Sequence, residues 1–278
     1  MKPHSFSKLL GGAALVLCAA ISQAGAIHDS ALFTTVLPAN DDGSTGLVGL
    51  GFTANINGTN FTQTYVNNNG NVTFNNQLGT FTPSAISSGA FGPIIAPFFA
   101  DVDTRAAGSL PVTYGSAPLG GHTVFGVNYI NVGVFASQSI FNSFQLLLTE
   151  RADTGAGNFD IQFNYDTMVW ESGTASGAPA GGLCDASCTS ALSGFWTSAS
   201  SNSTLPGSLV HGALLDNGPA GTSLIHNSLN SNILGQYNFQ VRNGAVIVTP
   251  PNNVPEPSSI ALLGLALLGL GAMRRKSS

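Results

Sequence analysis

The chain has 278 residues, enough for one large domain or two small ones with a sizeable core. Only 8% of it is charged, and five of its eight cations (Lys2, Lys8, Arg274, Arg275 and Lys276) sit at the two ends. Between residues 9 and 273 three cations face 13 carboxylates, a net −10, so a phosphate backbone would be repelled and no nucleic-acid partner is expected. A hydrophobic content of 43% excludes a disordered composition. Solubility then rests on Asn, Ser, Thr, Gln and Gly, a composition closer to an exported β-rich domain than to a cytosolic enzyme with about 25% charge.

In chain order, Lys2 and Lys8 precede a 13-residue apolar run, Leu9 to Ile21, and two small-x-small cleavage patterns, SQA and AGA, end at Ala24 and Ala26. Residues 1–26 are therefore expected to be a secretory signal peptide. Cys18 follows Leu17 inside the apolar run and lacks the context of a lipidation site.

Residues 27–249 carry many short strand patterns and little helical periodicity. The clearest is NFDIQFNY, where Phe159, Ile161, Phe163 and Tyr165 alternate with Asn158, Asp160, Gln162 and Asn164, giving one buried and one wet face. SFQLLLTE (143–150) precedes it, and RADTGAGN (151–158) joins the two as a hairpin. Further strands are expected at 61–66, 71–74, 94–100, 112–114, 123–135, 194–199, 209–215 and 237–241. Strands at this spacing predict an all-β, sandwich-like or barrel domain. Residues 172–190 read as a long Gly/Ala/Ser loop, and the Asn-x-Thr triplets at Asn57, Asn71 and Asn202 read as turn residues.

Residues 250–259 form a Pro-rich linker holding Pro255, Glu256 and Pro257, which keep that segment extended. Ile260 to Met273 follow without a charge, and Arg274, Arg275 and Lys276 close the run. A helix of that length spans roughly 21 Å, short of the ~30 Å hydrocarbon core, but snorkelling cations and the flanking serines extend it. Residues 260–278 are expected to form a short membrane helix whose basic end stays cytoplasmic.

The order Pro-Glu-Pro, apolar span, basic cluster resembles the PEP-CTERM sorting signal of Gram-negative, polysaccharide-producing bacteria. That resemblance implies an exosortase as processing partner, passage through the inner membrane, and delivery to the cell surface or extracellular matrix. Within the body, YVNNNGNVTF (65–74), PIIAPFFADVDTR (93–105, with Phe99 where Trp is usual) and VNYINVG (127–133) resemble, in order, segments of nidogen-like (NIDO) domains. FQLLLTE, FDIQFNYDTMVWESG, GFWTSASSNSTLPGS and SNILGQYNFQV extend the resemblance to residue 241, so it covers roughly 61–241. It implies a nidogen-type β-sandwich acting in cell–matrix adhesion. The chain itself is expected to bind matrix polysaccharide or a surface or matrix protein.

Candidate site residues are few. Asp101 and Asp103, at i and i+2 after an apolar strand, point to one side, so they either contribute to a Ca²⁺ site or cap the strand with Arg105 pairing one of them. No other cofactor is expected. Cys184 and Cys188 in an exported chain are expected to form a disulfide. The histidines form no recognisable catalytic set, and the chain is expected not to be an enzyme. Two alternatives remain open: a glycan hydrolase using Asp101, Asp103 or Glu150, which needs two carboxyl groups about 5 to 9 Å apart across a cleft, and a coat protein without a specific ligand.

Overall fold

The computed structural model describes residues 25–84, 92–136, 138–198 and 201–247. The signal peptide up to residue 24, the Pro255-Glu256-Pro257 motif and the apolar C-terminal run lie outside the described residues. Among the described residues no helix is long and apolar enough to cross a membrane.

Thirteen strands are present among the described residues: β1 (Thr35–Val36), β2 (Val48–Ile56), β3 (Thr59–Asn67), β4 (Asn71–Thr73), β5 (Ile94–Phe99), β6 (Thr113–Leu119), β7 (His122–Val134), β8 (Gln138–Glu150), β9 (Phe159–Thr167), β10 (Leu192–Ser198), β11 (Ser201–Thr204), β12 (Gln236–Arg242) and β13 (Ala245–Ile247). They form two sheets, one in the order β1-β6-β7-β8-β9-β12-β13 and one in the order β11-β10-β5-β4-β3-β2. All pairings between named strands are antiparallel. The only helical pieces among the described residues are single 3₁₀ turns at Ser30–Leu32, Ala152–Thr154 and Thr174–Ser176.

The period-2 pattern explains how the sheets meet. Phe159, Ile161, Phe163 and Tyr165 of β9 all enter the main core, as do Leu50, Phe52, Ala54 and Ile56 of β2. Rings cross from sheet to sheet: Phe98 lies 5.4 Å from Phe144 between centroids, and Phe195 lies 5.2 Å from Phe239. Each such buried side chain contributes about 1.5–3 kcal/mol relative to leaving it in water. The expected hairpin is present, with Leu148 opposite Ile161 and Leu146 opposite Phe163.

Polar atoms also tie the sheets together. The Tyr129 hydroxyl, on β7, donates to the carbonyl of Asn67 at 2.8 Å beneath the turn joining β3 to β4. Tyr165, on β9, reaches the carbonyl of Pro97 on β5 at 2.6 Å. Both hydroxyls are buried, and these bonds remove what would otherwise be a desolvation penalty.

One expected strand is absent. Residues 209–215 form successive turns in which Leu209 has φ +61° and Gly212 has φ +68°. Ala213, Leu214 and Leu215 are buried consecutively, so the apolar run lacks the alternation a strand requires.

Candidate functional site

The segment 40–45 folds over the end of β5 because Asn40 shapes it locally. Its carboxamide oxygen accepts from Gly43 N at 2.7 Å, and its backbone exchanges hydrogen bonds with Thr104. Asn68 and Asn69, in the turn between β3 and β4, lock this segment against the β5 end. Asn68 Nδ2 donates to the carbonyls of Asp41 and Val102, and Asn69 Nδ2 donates to Asp42 Oδ1 at 2.8 Å. Asn69 Oδ1 in turn accepts from Val102 N at 3.0 Å.

The result is a cluster of three carboxylates, Asp41, Asp42 and Asp101, with one oxygen of each lying within 4.8 Å of the others. Asp101 is buried and packed against Gly173, where any side chain would collide with its carboxylate. Asp103 is also buried, but its two oxygens bind Arg105, at 2.8 Å from Nε and 2.8 Å from one terminal nitrogen. Arg105 also pairs with Asp41 Oδ2 at 2.9 Å. Asp101 therefore groups with Asp41 and Asp42 instead of with Asp103. Burial, and next the charges of Asp41, Asp42 and Asp103, push the Asp101 carboxyl up to about 7. Burial likewise raises Asp41 to about 6, helped by Asp42 and Asp103 and opposed by Arg105.

Asp41 and Asp42 escape a reading of the sequence because they stand some sixty positions before Asp101 and meet it only in the folded chain, through contacts of Asn68, Asn69, Thr104 and Arg105. The adjacent acids followed by Gly43 in a polar loop were the available signal.

A second feature is a groove of about 630 Å³ on the outer face of the seven-stranded sheet. Two ladder rungs floor it: Thr149, Asp160 and Gln240 in one, Gln162 and Asn238 in the next. These side chains face outward because their neighbours Phe159, Ile161, Phe163, Phe239 and Val241 fill the core. His28 walls one side, and burial lowers its pKa. Asp160, the carboxylate of the floor, is held between Arg151 at 2.8 Å and Arg242 at 2.7 Å. Beside the groove the buried amides of Asn128, Gln145 and Asn164 bond in a chain across β7, β8 and β9, at 2.8 and 3.0 Å.

Elsewhere, Cys184 and Cys188 are joined in a disulfide. Buried Glu171 anchors the surrounding loops. It accepts from Cys184 N at 2.8 Å, from the Ser190 hydroxyl at 2.6 Å and from Gly212 N at 3.0 and 2.8 Å. Glu150 ends β8, on a different element from Asp101 and Asp103.

Two packed antiparallel sheets define an all-β module. The chain belongs to the NIDO-related family, whose match covers residues 22–211. Residues 253–276 match the PEP-CTERM protein-sorting motif, which marks the chain for export and surface sorting in bacteria and for processing by an exosortase. Among curated proteins it is similar to alpha-tectorin of Gallus gallus, with 30% identity over 165 residues, and of Mus musculus, with 32% over 164. Alpha-tectorin of Homo sapiens is 29% identical over 164 residues. These matches take in 51% of this chain and 7–8% of the tectorins, so the chain spans less than a tenth of the length of these relatives. No solved structure matches the chain.

Proposed function

We propose that this is a non-catalytic protein of the bacterial cell surface or exopolysaccharide matrix, and that it acts in adhesion or matrix organisation by binding neutral polysaccharide in the outer-face groove. The amide floor of that groove carries the reading. Side-chain amides both donate and accept, which suits sugar hydroxyls, and a rigid sheet holds them in fixed register. Asp160 is already paired with two arginines, so the floor favours an uncharged ligand. The amides stand on strands, where a binding surface on loops would have been the ordinary expectation.

In this reading the signal peptide exports the chain from a Gram-negative cell. The apolar run at 260–273 holds it in the inner membrane until the exosortase removes the tail. The hydrolase alternative draws less support, because Asp103 is committed to Arg105 and Asp101 is buried. A coat protein without a ligand is separated by binding that saturates.

The test is titration of the exported chain with exopolysaccharide from its own host. Saturable binding is expected, weakened about threefold to tenfold by Gln162→Ala or Gln240→Ala. Binding that does not saturate, or that ignores both substitutions, removes the groove from the function. The intact mass of the mature protein, with and without the exosortase, tests the processing separately.

A further inference from the structure

We propose that Asp41, Asp42 and Asp101 bind a calcium ion that fastens the loop at 40–45 to the end of β5. The argument is independent of the groove, with which the cluster shares no residue.

Three carboxylates with oxygens within 4.8 Å of one another repel strongly unless something positive lies between them. The nearby donors reach only one oxygen each of Asp41 and Asp42, and none of them reaches Asp101 Oδ2. Arg105 serves both oxygens of Asp103 and only Oδ2 of Asp41. Asn68 serves two carbonyls, and Asn69 serves Asp42 Oδ1 and the Thr80 carbonyl. Two carboxylate oxygens, Asp101 Oδ2 and Asp41 Oδ1, are thereby buried without a hydrogen-bond partner, and Asp101 as a whole is only 1% exposed. Buried polar atoms in folded proteins are satisfied as a rule, and a buried carboxylate oxygen without a donor is satisfied either by a proton or by a cation; a cation serves all three carboxylates of the cluster at once.

The chemistry selects the ion. All the ligand atoms are hard carboxylate oxygens, with no sulfur or imidazole in the cluster, which disfavours zinc and copper. Three carboxylates, mono- or bidentate, with waters completing the shell, suit the large and irregular coordination of Ca²⁺ better than the strict octahedron of Mg²⁺. Exposed Asp42 opens the cluster to solvent and gives the ion its entry. A site drawn partly from a loop, with Arg105 offsetting some of its charge, belongs with extracellular modules that bind at about 10⁻⁴–10⁻³ M.

The experiment uses the full exported chain, freed of metal with a chelator and then titrated with CaCl₂, following the unfolding midpoint and the heat of binding. A saturable rise in Tm is expected below ~10 mM Ca²⁺, with a smaller rise for the same MgCl₂. Asp101→Asn keeps the shape of the buried side chain and relieves the repulsion, so the metal-free variant is expected to fold at least as stably as the parent. Its calcium midpoint should move up by about tenfold or more. Asp42→Asn, at the exposed member, should do the same without touching the core. Asp153→Asn, outside the cluster, should respond as the parent does. No Ca²⁺-dependent shift in the parent chain, an equal response to Mg²⁺, or an unchanged response in both Asp101→Asn and Asp42→Asn would overturn the assignment.

Discussion

The backbone N–H of Asn57 donates to the carbonyl oxygen of Gly244 at 2.8 Å, so the tips of two hairpins from different sheets are tied directly to each other. Both are Asn-Gly turns with positive φ at both residues: 51° and 83° at Asn57 and Gly58, 52° and 80° at Asn243 and Gly244. That is the two-residue geometry whose twist matches the flanking strands. A third turn joins them, since Asn55 N donates to the Gly157 carbonyl at 2.8 Å and Asn243 N to Asn158 Oδ1 at 2.8 Å. Three hairpin ends thus close one end of the molecule.

The two turn glycines should respond differently to alanine. Gly58 has open space where a Cβ would go, so Gly58→Ala meets only the left-handed backbone penalty, about 1 kcal/mol. At Gly244 a Cβ would lie 2.5 Å from Asn55 Oδ1 and 2.8 Å from Gly58 N. Gly244→Ala is expected to lose at least about twice as much, because the two turns must also move apart. Urea unfolding of the two variants side by side measures the difference, and equal losses would mean that the contact between the turns contributes nothing.

Glu171 predicts a larger effect. Removing its carboxylate leaves the half-buried N–H groups of Cys184 and Gly212 and the buried hydroxyl of Ser190 without their shared acceptor. Glu171→Ala is expected to destabilise by about 3 kcal/mol, and Glu171→Gln by less, since one acceptor oxygen survives. Hydrogen exchange at Gly212 and Cys184 should speed up before exchange in β8 and β9 does. Uniform acceleration would place Glu171 in the global fold instead of in these loops.

What was legible beforehand follows from where each interaction lives. The alternation of NFDIQFNY is local, and β9 buries the four residues that its pattern assigns to the core. In β2 the same alternation, Leu50, Phe52, Ala54 and Ile56, runs through Gly49 and Gly51, and those glycines hide it. Leu209 to Leu215 misleads for the opposite reason: the run is apolar, yet its shape is set by Glu171 holding Gly212, forty-one positions away. The partners of Asp101 and the alignment of Thr149, Asp160 and Gln240 depend on tertiary pairing and register, to which a single strand's sequence is blind.

The disulfide should matter less than its loop suggests. Cys184 and Cys188 are four positions apart, and closing so short a loop stabilises by about 2 kcal/mol at most on the chain-entropy account. The loop is also held by Cys184 N on Glu171 and by Ser187 N on Asp185 Oδ1, both at 2.8 Å. The double substitution Cys184→Ser with Cys188→Ser is expected to fold and to lose less than Glu171→Ala does in the same denaturation assay.

Asp216 makes a pH-dependent prediction. Its Oδ1 accepts from Met168 N at 2.8 Å, and its own N–H donates to the Met168 carbonyl at 2.8 Å. Burial raises its pKa above the ordinary carboxylate value, with a further push from Asp166 and opposition from the Met168 N–H and His226. A raised folded pKa means that the native state holds the proton more tightly than the unfolded chain does. The stability this brings is complete below the ordinary carboxylate value and is lost as pH rises through the raised one. Asp216→Asn keeps an acceptor for Met168 N and cannot ionise, so it should match the parent chain near pH 3 and exceed it at pH 7. Denaturation midpoints of the pair across that range give the answer. A gap that stays constant with pH would show that the Asp216 charge is already compensated in the folded chain, and a gap that widens toward acid would reverse the sign of the argument.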